Sequence, residues 1–496
     1  MIDRSDLPSE LYQSNKNYIL LTGATGLLGR YLLRDLLVRK ERVAVIARRS
    51  ANQSARQRVE AIMQQWEREL GQKLPRPVVI EGDICSPDLG MSLANKRWVS
   101  ENCRDIIHNA AILRFESADR TDEPFRTNYH GTANVLDFAN NSGIEKFHYV
   151  STAYVCGKAS ETVTEDQLDV GQELRNDYER SKFDAEKLVR AAKGFRNVTV
   201  FRPAVIIGDS KTGYTSTYHG LFLYLRLISM LVPQQQRDET GKHLTPIRLP
   251  MSGDEPRNLV TVDWVSSVIA HIVNTSDAHG ETFHLTPETC TTASEVIDSC
   301  CSYFNSDGVV YAGADAATEE NDEFSKTFFE NSRIYDSYIT SDPDFDRSNV
   351  EKWAGHLPCP TIDQAMIHRF IEFGAANRWG KNKAETPDVE YWFEDELERI
   401  GELAKSMVGQ RASSIDASIS IGLDIIGPGG GQWTLEEIGK SIRFTATQGL
   451  PHGENPVLTI DGKLLAQLLD EVSNEVEFGQ FVDQFESTFS SAMLNR

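Results

Sequence analysis

The 496-residue chain carries 51 Lys plus Arg against 73 Asp plus Glu, a formal net charge of −22. Such a balance repels nucleic-acid phosphates, and no local basic patch offsets it, so a DNA- or RNA-binding role is not expected. With 40% hydrophobic and 25% charged residues the chain is too apolar for global disorder, and its length suggests about three folding units, or one large domain plus a smaller one. No apolar run reaches the roughly 18 residues of a membrane span; the best, Leu221 to Val232, is interrupted by Arg226. The first residues are polar and carry Asp3, Asp6 and Glu10, unlike a signal peptide. Seven cysteines without CxxC spacing predict neither a disulfide framework nor a metal site, and the cytoplasm is the expected compartment.

In chain order, short apolar runs alternate with amphipathic stretches. Tyr18–Thr22, Val43–Ala47, Val78–Glu81, Ile106–His108, Phe147–Ser151 and Val198–Phe201 read as strands, and Leu27–Val38, Ala55–Leu70, Pro124–Asn140 and Tyr178–Ala192 as helices. Alternation of this kind predicts an α/β fold, a doubly wound parallel sheet of Rossmann type buried on both faces. Beyond Phe201 the pattern loosens into a smaller mixed region: a loop over Gly208–Gly220, then helices over Leu221–Leu231, Val262–Val273 and Ala293–Phe304. Gly313–Asp322 is polar and expected at the surface, and Lys381–Asp388 reads as a linker. The expected organisation is therefore a domain over 1–380 (nucleotide-binding core 18–201, substrate region 202–380), a linker at 381–388, and a separate α+β unit over 389–496. The last 116 residues hold 9 Lys plus Arg and 20 Asp plus Glu, so half the excess negative charge lies there.

The strand Tyr18–Thr22 runs into Gly23-Ala24-Thr25-Gly26-Leu27-Leu28-Gly29 and a helix follows. A glycine-rich turn lets backbone approach a pyrophosphate, and the helix N-terminus offers free N–H donors and a positive dipole end. The second strand ends at Arg48 and Arg49, where an NAD-reading fold places a carboxylate. Guanidinium groups there suit the extra 2′-phosphate of NADP; the alternative is two solvated arginines on a loop. Asp83 follows the third strand, placed to meet the adenine ring, and Asn109-Ala110-Ala111 follows the fourth, where small side chains let a cofactor lie against the backbone. NADPH is the expected cofactor.

Tyr178 and Lys182 stand four residues apart at the start of a helix and share one face. An ammonium beside a phenol is expected to pull the phenol's pKa toward neutrality, which suits proton donation to a carbonyl oxygen as hydride arrives. As an isolated pair, YxxxK is more often plain helix surface. Its position after the glycine turn and the βα alternations, with Ser151-Thr152 ending the preceding strand, favours chemistry, and Thr152 can supply a second hydrogen bond to the same oxygen. His108 is expected to be structural, and Cys156 lacks a partner histidine that would make it a nucleophile.

Taken together, Thr22–Gly29 (TGATGLLG), Gly82–Leu89 (GDICSPDL), Ile107–Ala111 (IHNAA), Thr127–Val135 (TNYHGTANV), Tyr149–Gly157 (YVSTAYVCG), Tyr178–Lys187 (YERSKFDAEK) and Phe201–Gly213 (FRPAVIIGDSKTG) resemble the extended short-chain dehydrogenase/reductases. The likeness is greatest to their thioester reductase and fatty acyl-CoA reductase branch, over about Tyr18 to residue 300 and more loosely to 380. The resemblance implies a catalytic set of Thr152, Tyr178 and Lys182 with Asn128 in support; the family spacing to Gly157 selects Thr152 over Ser151. The cofactor contacts it implies are Gly23, Thr25, Gly26, Leu27, Leu28, Gly29, Arg48, Arg49, Asp83, Ile84, Asn109, Ala110, Ala111, Tyr178, Lys182, Pro203 and Val205.

By that resemblance the expected reaction is NADPH-dependent reduction of a fatty or polyketide acyl thioester to an aldehyde, with onward reduction to an alcohol left open. No adenylation or carrier domain is recognised, so the acyl group is expected from coenzyme A or a separate acyl carrier protein, and the chain's acidity favours coenzyme A. Two rivals stay open: oxidoreduction of a sterol-like or sugar-nucleotide alcohol, and a non-catalytic NADP-binding regulator. The apolar stretch Leu221–Leu231, with Phe222, Tyr224 and Met230, is read as core packing ahead of an acyl tunnel. Around Gly429–Leu435, Pro456–Ile460 and Gly462–Leu469 the C-terminal unit resembles sterol carrier protein-like lipid-binding domains, against the plainer expectation of a dimerisation or docking domain. A homodimer and a peripheral membrane contact stay open.

Overall fold

A computed structural model of the protein describes residues 16–313, 316, 322–339, 342–382, 386–389, 392–397, 400, 420–437, 444–452 and 457–469. Strands β1 (Tyr18–Thr22), β2 (Arg42–Ala47), β3 (Val78–Glu81), β4 (Cys103–His108), β5 (Lys146–Val150) and β6 (Asn197–Pro203) come first. Downstream lie β7 (Val205–Ile207), β8 (His243–Leu249), β9 (Pro256–Arg257), β10 (Leu259–Thr261), β11 (Thr282–Leu285), β12 (Thr291–Thr292) and β13 (Ser306–Tyr311). Helices α1 (Leu27–Val38), α2 (Ala55–Leu70), α3 (Leu93–Asn102), α4 (Thr132–Asn141) and α5 (Asp177–Ala191) alternate with the first six strands. They are followed by α6 (Leu221–Leu231), α7 (Val262–Val273), α8 (Ala293–Phe304), α9 (Glu323–Ser332), α10 (Ser348–Ala354) and α11 (Gln364–Ala376).

Seven strands form one parallel sheet in the order β3-β2-β1-β4-β5-β6-β11. Ile19, Leu20 and Leu21 of β1 are fully buried because helices cover both faces. Tyr31, Leu32 and Leu36 of α1 pack with Val265 and Ile269 of α7 on one face, and Val135, Ala185 and Val189 of α4 and α5 pack on the other. The expected doubly wound sheet is therefore present. Strand order reverses between β1 and β4, which opens a crevice at the carboxyl ends of these two strands, where such sheets bind ligands.

Three differences from the sequence expectation have physical causes. The stretch expected as one helix over Pro124–Asn140 is a π-helical turn over Arg126–Gly131 that runs into α4; inside it the Asn128 side chain reaches out to the backbone of Ile112. Strand β8 carries alternating burial yet contains Pro246, a residue that argues against a strand interior, and it pairs with β13 and, at His243, bridges to Arg237. The amphipathic period is weak in α3, which buries Val99 alone. Of Gly313–Asp322 only residues 313, 316 and 322 lie among those described, and of Lys381–Asp388 residues 383–385 lie outside them.

Strands β14 (Ser420–Ile426), β15 (Gly431–Glu437), β16 (Phe444–Gln448) and β17 (Val457–Asp461) form a second sheet in the order β16-β15-β14-β17, with α12 (Gly462–Leu469) after it. This sheet docks on the amino-terminal end of the main sheet. Tyr18, the first residue of β1, donates to Gln432 Oε1 (2.8 Å) and accepts from the Leu450 N–H (2.8 Å). Trp98 Nε1 donates to the Gln448 carbonyl (2.5 Å) and Arg42 to the Pro451 carbonyl (2.9 Å). The second sheet thus lies at the end of β1 opposite the crevice.

Candidate active site

The crevice begins at the turn after β1. Gly23 has φ +73°, and a Cβ there would lie 2.8 Å from the backbone N and Cα of Ala110, so only glycine lets the β1 and β4 turns meet. A Cβ on Gly29 would fall 1.9 Å from the Gly23 carbonyl oxygen, which fixes how closely α1 packs on its own turn. Gly26 is the N-cap of α1 and offers no side-chain cap, so the first N–H groups of the helix stay available to an anion. The Thr22 hydroxyl accepts from the N–H groups of Asn109 (3.2 Å) and Ala110 (3.2 Å) and therefore donates to His108 Nδ1 (2.8 Å). His108 is fully buried between Thr22 and Thr132, and burial pushes its pKa down to about 3, so it is a structural, neutral histidine.

Arg48 and Arg49 are exposed beyond the end of β2, and Arg49 pairs with Glu81 at 3.4 Å. A third cation joins them. Arg58, on the first turn of α2, donates to the Arg48 carbonyl (2.5 Å) and to the Thr25 hydroxyl (3.0 Å), bridging the arginine loop to the glycine turn. The Ser54–Gln57 capping box marks this helix start in the sequence and could have singled Arg58 out. Asp83 caps the Cys85 N–H through Oδ1 (3.0 Å), and the Ile84 side chain packs against Gly131. The donor set of uncapped helix N–H groups and three guanidinium groups fits a phosphorylated dinucleotide.

Across the crevice, β5 and α5 bring the polar residues together. The Tyr178 phenol is hydrogen-bonded to Thr152, whose side chain also accepts from the Tyr154 N–H (3.3 Å). The neighbouring Ser151 hydroxyl instead donates to Glu186 Oε2 (2.6 Å), which commits it to the interior. Buried Lys182 donates to the Val150 carbonyl (2.8 Å) and lies 4.4 Å from the Tyr149 ring centre. The expected lowering of the phenol's pKa is corrected here: burial pushes Tyr178 up to about 12 despite the Thr152 bond, and burial pulls Lys182 down to about 7. Desolvation outweighs attraction in this pocket, so the phenol is held protonated at neutral pH. Asn128 is hydrogen-bonded elsewhere. Its Oδ1 accepts from the Ile112 N–H (2.9 Å), and its Nδ2 donates to the Ile112 carbonyl (3.0 Å) and to Ser181 Oγ (3.0 Å), which places it as a brace between the β4 loop and α5.

Behind this wall lies a buried charge network that the sequence pattern does not announce. Glu186, one turn after Lys182, pairs with fully buried Arg202 (2.7 Å) and with Arg190 (2.9 Å). Its charge raises the Lys182 pKa against the effect of burial. Cys156 is buried and burial raises its thiol to about 12, so it offers no thiolate.

One cavity of about 740 Å³ joins the two walls. Of the expected site residues, Gly26, Leu27, Leu28, Asn109, Ala111, Thr152, Tyr178, Lys182, Pro203 and Val205 line it. Gly23, Thr25, Gly29, Arg48, Arg49, Asp83, Ile84, Ala110 and Asn128 do not; they form the turns, loop and brace around it. The cavity then continues into an apolar chamber between α6, α8, α9, β8 and β13. This corrects the reading of Leu221–Leu231 as plain core: Leu221, Tyr224, Leu225 and Ile228 face the cavity, whereas Met230 is exposed at the surface. Among the described residues no helix is long and apolar enough to cross a membrane.

The model of the NAD-binding family described as Male sterility protein matches residues 21–269. The chain is 27% identical over 284 residues to a nonribosomal peptide synthetase of Aspergillus flavus, covering 55% of this chain and 26% of that one. It is 34% identical over 212 residues to the isonitrile lipopeptide synthase of Mycobacterium tuberculosis, covering 39% of this chain and 8% of that one. The chain thus spans about a quarter or less of the length of these relatives. Among solved structures, the terminal R domain of the myxalamid PKS-NRPS biosynthetic pathway is 26% identical with a TM-score of 0.60, covering 75% of this chain and 93% of that one.

Proposed function

Because the chain belongs to this NAD-binding Male sterility protein family, with the fold of an extended short-chain dehydrogenase/reductase, we propose that it is an NADPH-dependent thioester reductase. The observation that carries this reading is the hydrogen-bonded Thr152–Tyr178 pair, backed by Lys182, on one wall of a cavity whose other wall is the glycine turn. Gly26, Leu27 and Leu28 hold the pyrophosphate, and Arg48, Arg49 and Arg58 meet a 2′-phosphate, which selects NADPH over NADH. Asn128 acts as a positioning residue.

Held by the glycine turn and the arginine loop, a reduced nicotinamide would supply hydride for a thioester carbonyl carbon. Thr152 and Tyr178 hydrogen-bond the carbonyl oxygen as it gains negative charge. Tyr178, held protonated by its burial, donates its proton to that oxygen and a hemithioacetal results. Lys182 titrates near neutrality and returns a proton to the phenolate. Collapse of the hemithioacetal breaks the C–S bond and releases thiol and aldehyde. The balance is thioester plus NADPH plus a proton giving aldehyde, thiol and NADP⁺.

The relatives' names as peptide synthetases support an acyl group presented on a carrier protein; the chain's negative charge does not separate the two donors, since coenzyme A is itself a phosphate polyanion. The test is nicotinamide absorbance with NADPH and a panel of acyl-CoAs, acyl-carrier thioesters and ketones. Loss that depends on thioester supports the reading; loss with ketones alone, or binding without turnover, overturns it.

A further inference from the structure

The chamber beyond the reacting carbonyl has a measurable length. Leu221, Leu225, Ile228 and Val232 face it at steps of four, three and four residues, one stripe along the whole of the 11-residue helix α6. At about 1.5 Å rise per residue the stripe is roughly 16 Å long. Its near end adjoins the catalytic wall: a Cβ on Gly220 would lie 3.7 Å from Val205 Cγ1. A chain of ring contacts also runs from Tyr178 to Phe115 (6.3 Å), from Phe115 to Tyr335 (5.2 Å) and from Tyr335 to Tyr224 (5.9 Å). Its far end closes in a cluster of Val232, Ile247, Leu249 and Phe324, with Ile228 and Phe304 against it.

Among the described residues, the hydroxyls of the deep half already have partners, Ser332 donating to the Phe329 carbonyl (3.4 Å). The Thr245 hydroxyl donates to the Asp307 carbonyl (3.0 Å), and Ser306 is hydrogen-bonded to Cys301. The charged groups that line the cavity, Lys182, Arg257 and Asp342, stand at the near end with Tyr178 and Tyr338. A distal carboxylate or ammonium would therefore be desolvated without a partner.

We propose, resting on the thioester reductase reading, that the chamber selects an alkyl acyl chain by length, with α6 as the ruler and Val232 at its end. Tetrahedral chains of about 1.5 Å bonds advance about 1.3 Å per carbon, so the roughly 16 Å stripe takes about a dozen carbons. Ile228 and Val232 lie about 6 Å apart along the helix, a difference of four or five carbons. Ile228→Phe shortens the preferred chain by that much more than Val232→Phe does.

The experiment follows NADPH consumption with butanoyl, octanoyl, dodecanoyl and hexadecanoyl thioesters of coenzyme A and of N-acetylcysteamine, and with a dodecanoyl thioester bearing a terminal carboxylate. Each buried methylene adds up to about fourfold to affinity. The expected kcat/KM therefore rises more than about a hundredfold from butanoyl to dodecanoyl, then falls for hexadecanoyl. The terminal carboxylate abolishes the gain. Ile228→Phe moves the optimum to octanoyl or shorter, lowering the dodecanoyl-to-butanoyl ratio at least tenfold, and Val232→Phe moves it less. Thioester turnover that ignores chain length, tolerates the carboxylate or keeps its ratio in both variants overturns the ruler and leaves the reductase reading standing. No turnover with any thioester overturns both.

Discussion

Replacing Glu186 by Gln removes one charge from the most buried ionic group behind the catalytic wall. Glu186 and Arg202 are both fully buried, their ion pair is 2.7 Å long, and Glu186 also holds Ser151 at 2.6 Å. Loss of the carboxylate strands the Arg202 guanidinium without a counter-charge, at a cost of about 3–5 kcal/mol. In a chain of this size that corresponds to a midpoint lowered by about 3–5 °C, read by scanning calorimetry. The same change has a chemical signature that packing loss lacks. The Glu186 charge raises the Lys182 pKa, which burial has lowered to about 7; without it the ammonium deprotonates at still lower pH. The basic limb of the kcat/KM profile, which reports groups of the free enzyme, moves acidward. Paired replacement of both partners by Met recovers stability, since buried pairs gain little over apolar contacts, but leaves the limb displaced. An unchanged midpoint together with an unmoved limb in Glu186→Gln would refute this reasoning.

Tyr178→Phe removes the proton donor and lowers kcat about 10²–10⁴-fold, with NADPH affinity by fluorescence titration within a factor of two to three of the parent; retained turnover contradicts its role. Arg58→Ala deletes a guanidinium at the 2′-phosphate position and costs about 1.5–3 kcal/mol in NADPH binding. The NADPH-over-NADH preference should fall about tenfold or more, and an unchanged preference removes Arg58 from the site. Tyr18→Phe strips two hydrogen bonds from the contact with the C-terminal sheet and leaves the Leu450 N–H without its acceptor. The cost is about 1–3 kcal/mol, read as faster protease cleavage after residue 382 with turnover preserved; equal cleavage rates contradict a stabilising contact.

Local signals in the sequence carry much of this architecture. The first six strands and four of their helices follow from apolar runs fully buried between two helical layers, as in Ile19–Leu21. The glycine turn and the Tyr178–Lys182 pair are legible because each needs only residues near in sequence. What the sequence hides depends on distant partners. The phenol's raised pKa comes from burial that only the folded chain creates. Asn128 matches the family motif, yet its partners Ile112 and Ser181 are assembled by the π-helical turn. The apolar stripe of α6 looks the same whether it faces a core or a cavity; the hollow is bounded by residues of β8, β13 and α9 that are distant in sequence. The capping box announces where α2 begins, but that Arg58 reaches Thr25 depends on how the helix packs against the glycine turn.

The central claim is that hydride goes to a thioester carbon while Tyr178 protonates its oxygen. NADPH carrying deuterium at the transferring C4 position, incubated with the protein and dodecanoyl-CoA, tests it directly by mass spectrometry of trapped aldehyde. The account predicts one deuterium at the aldehyde carbon, with free coenzyme A released in equal amount, and both products formed at least about a hundredfold more slowly in Tyr178→Phe. Aldehyde without deuterium, or coenzyme A released without consumption of NADPH, contradicts it.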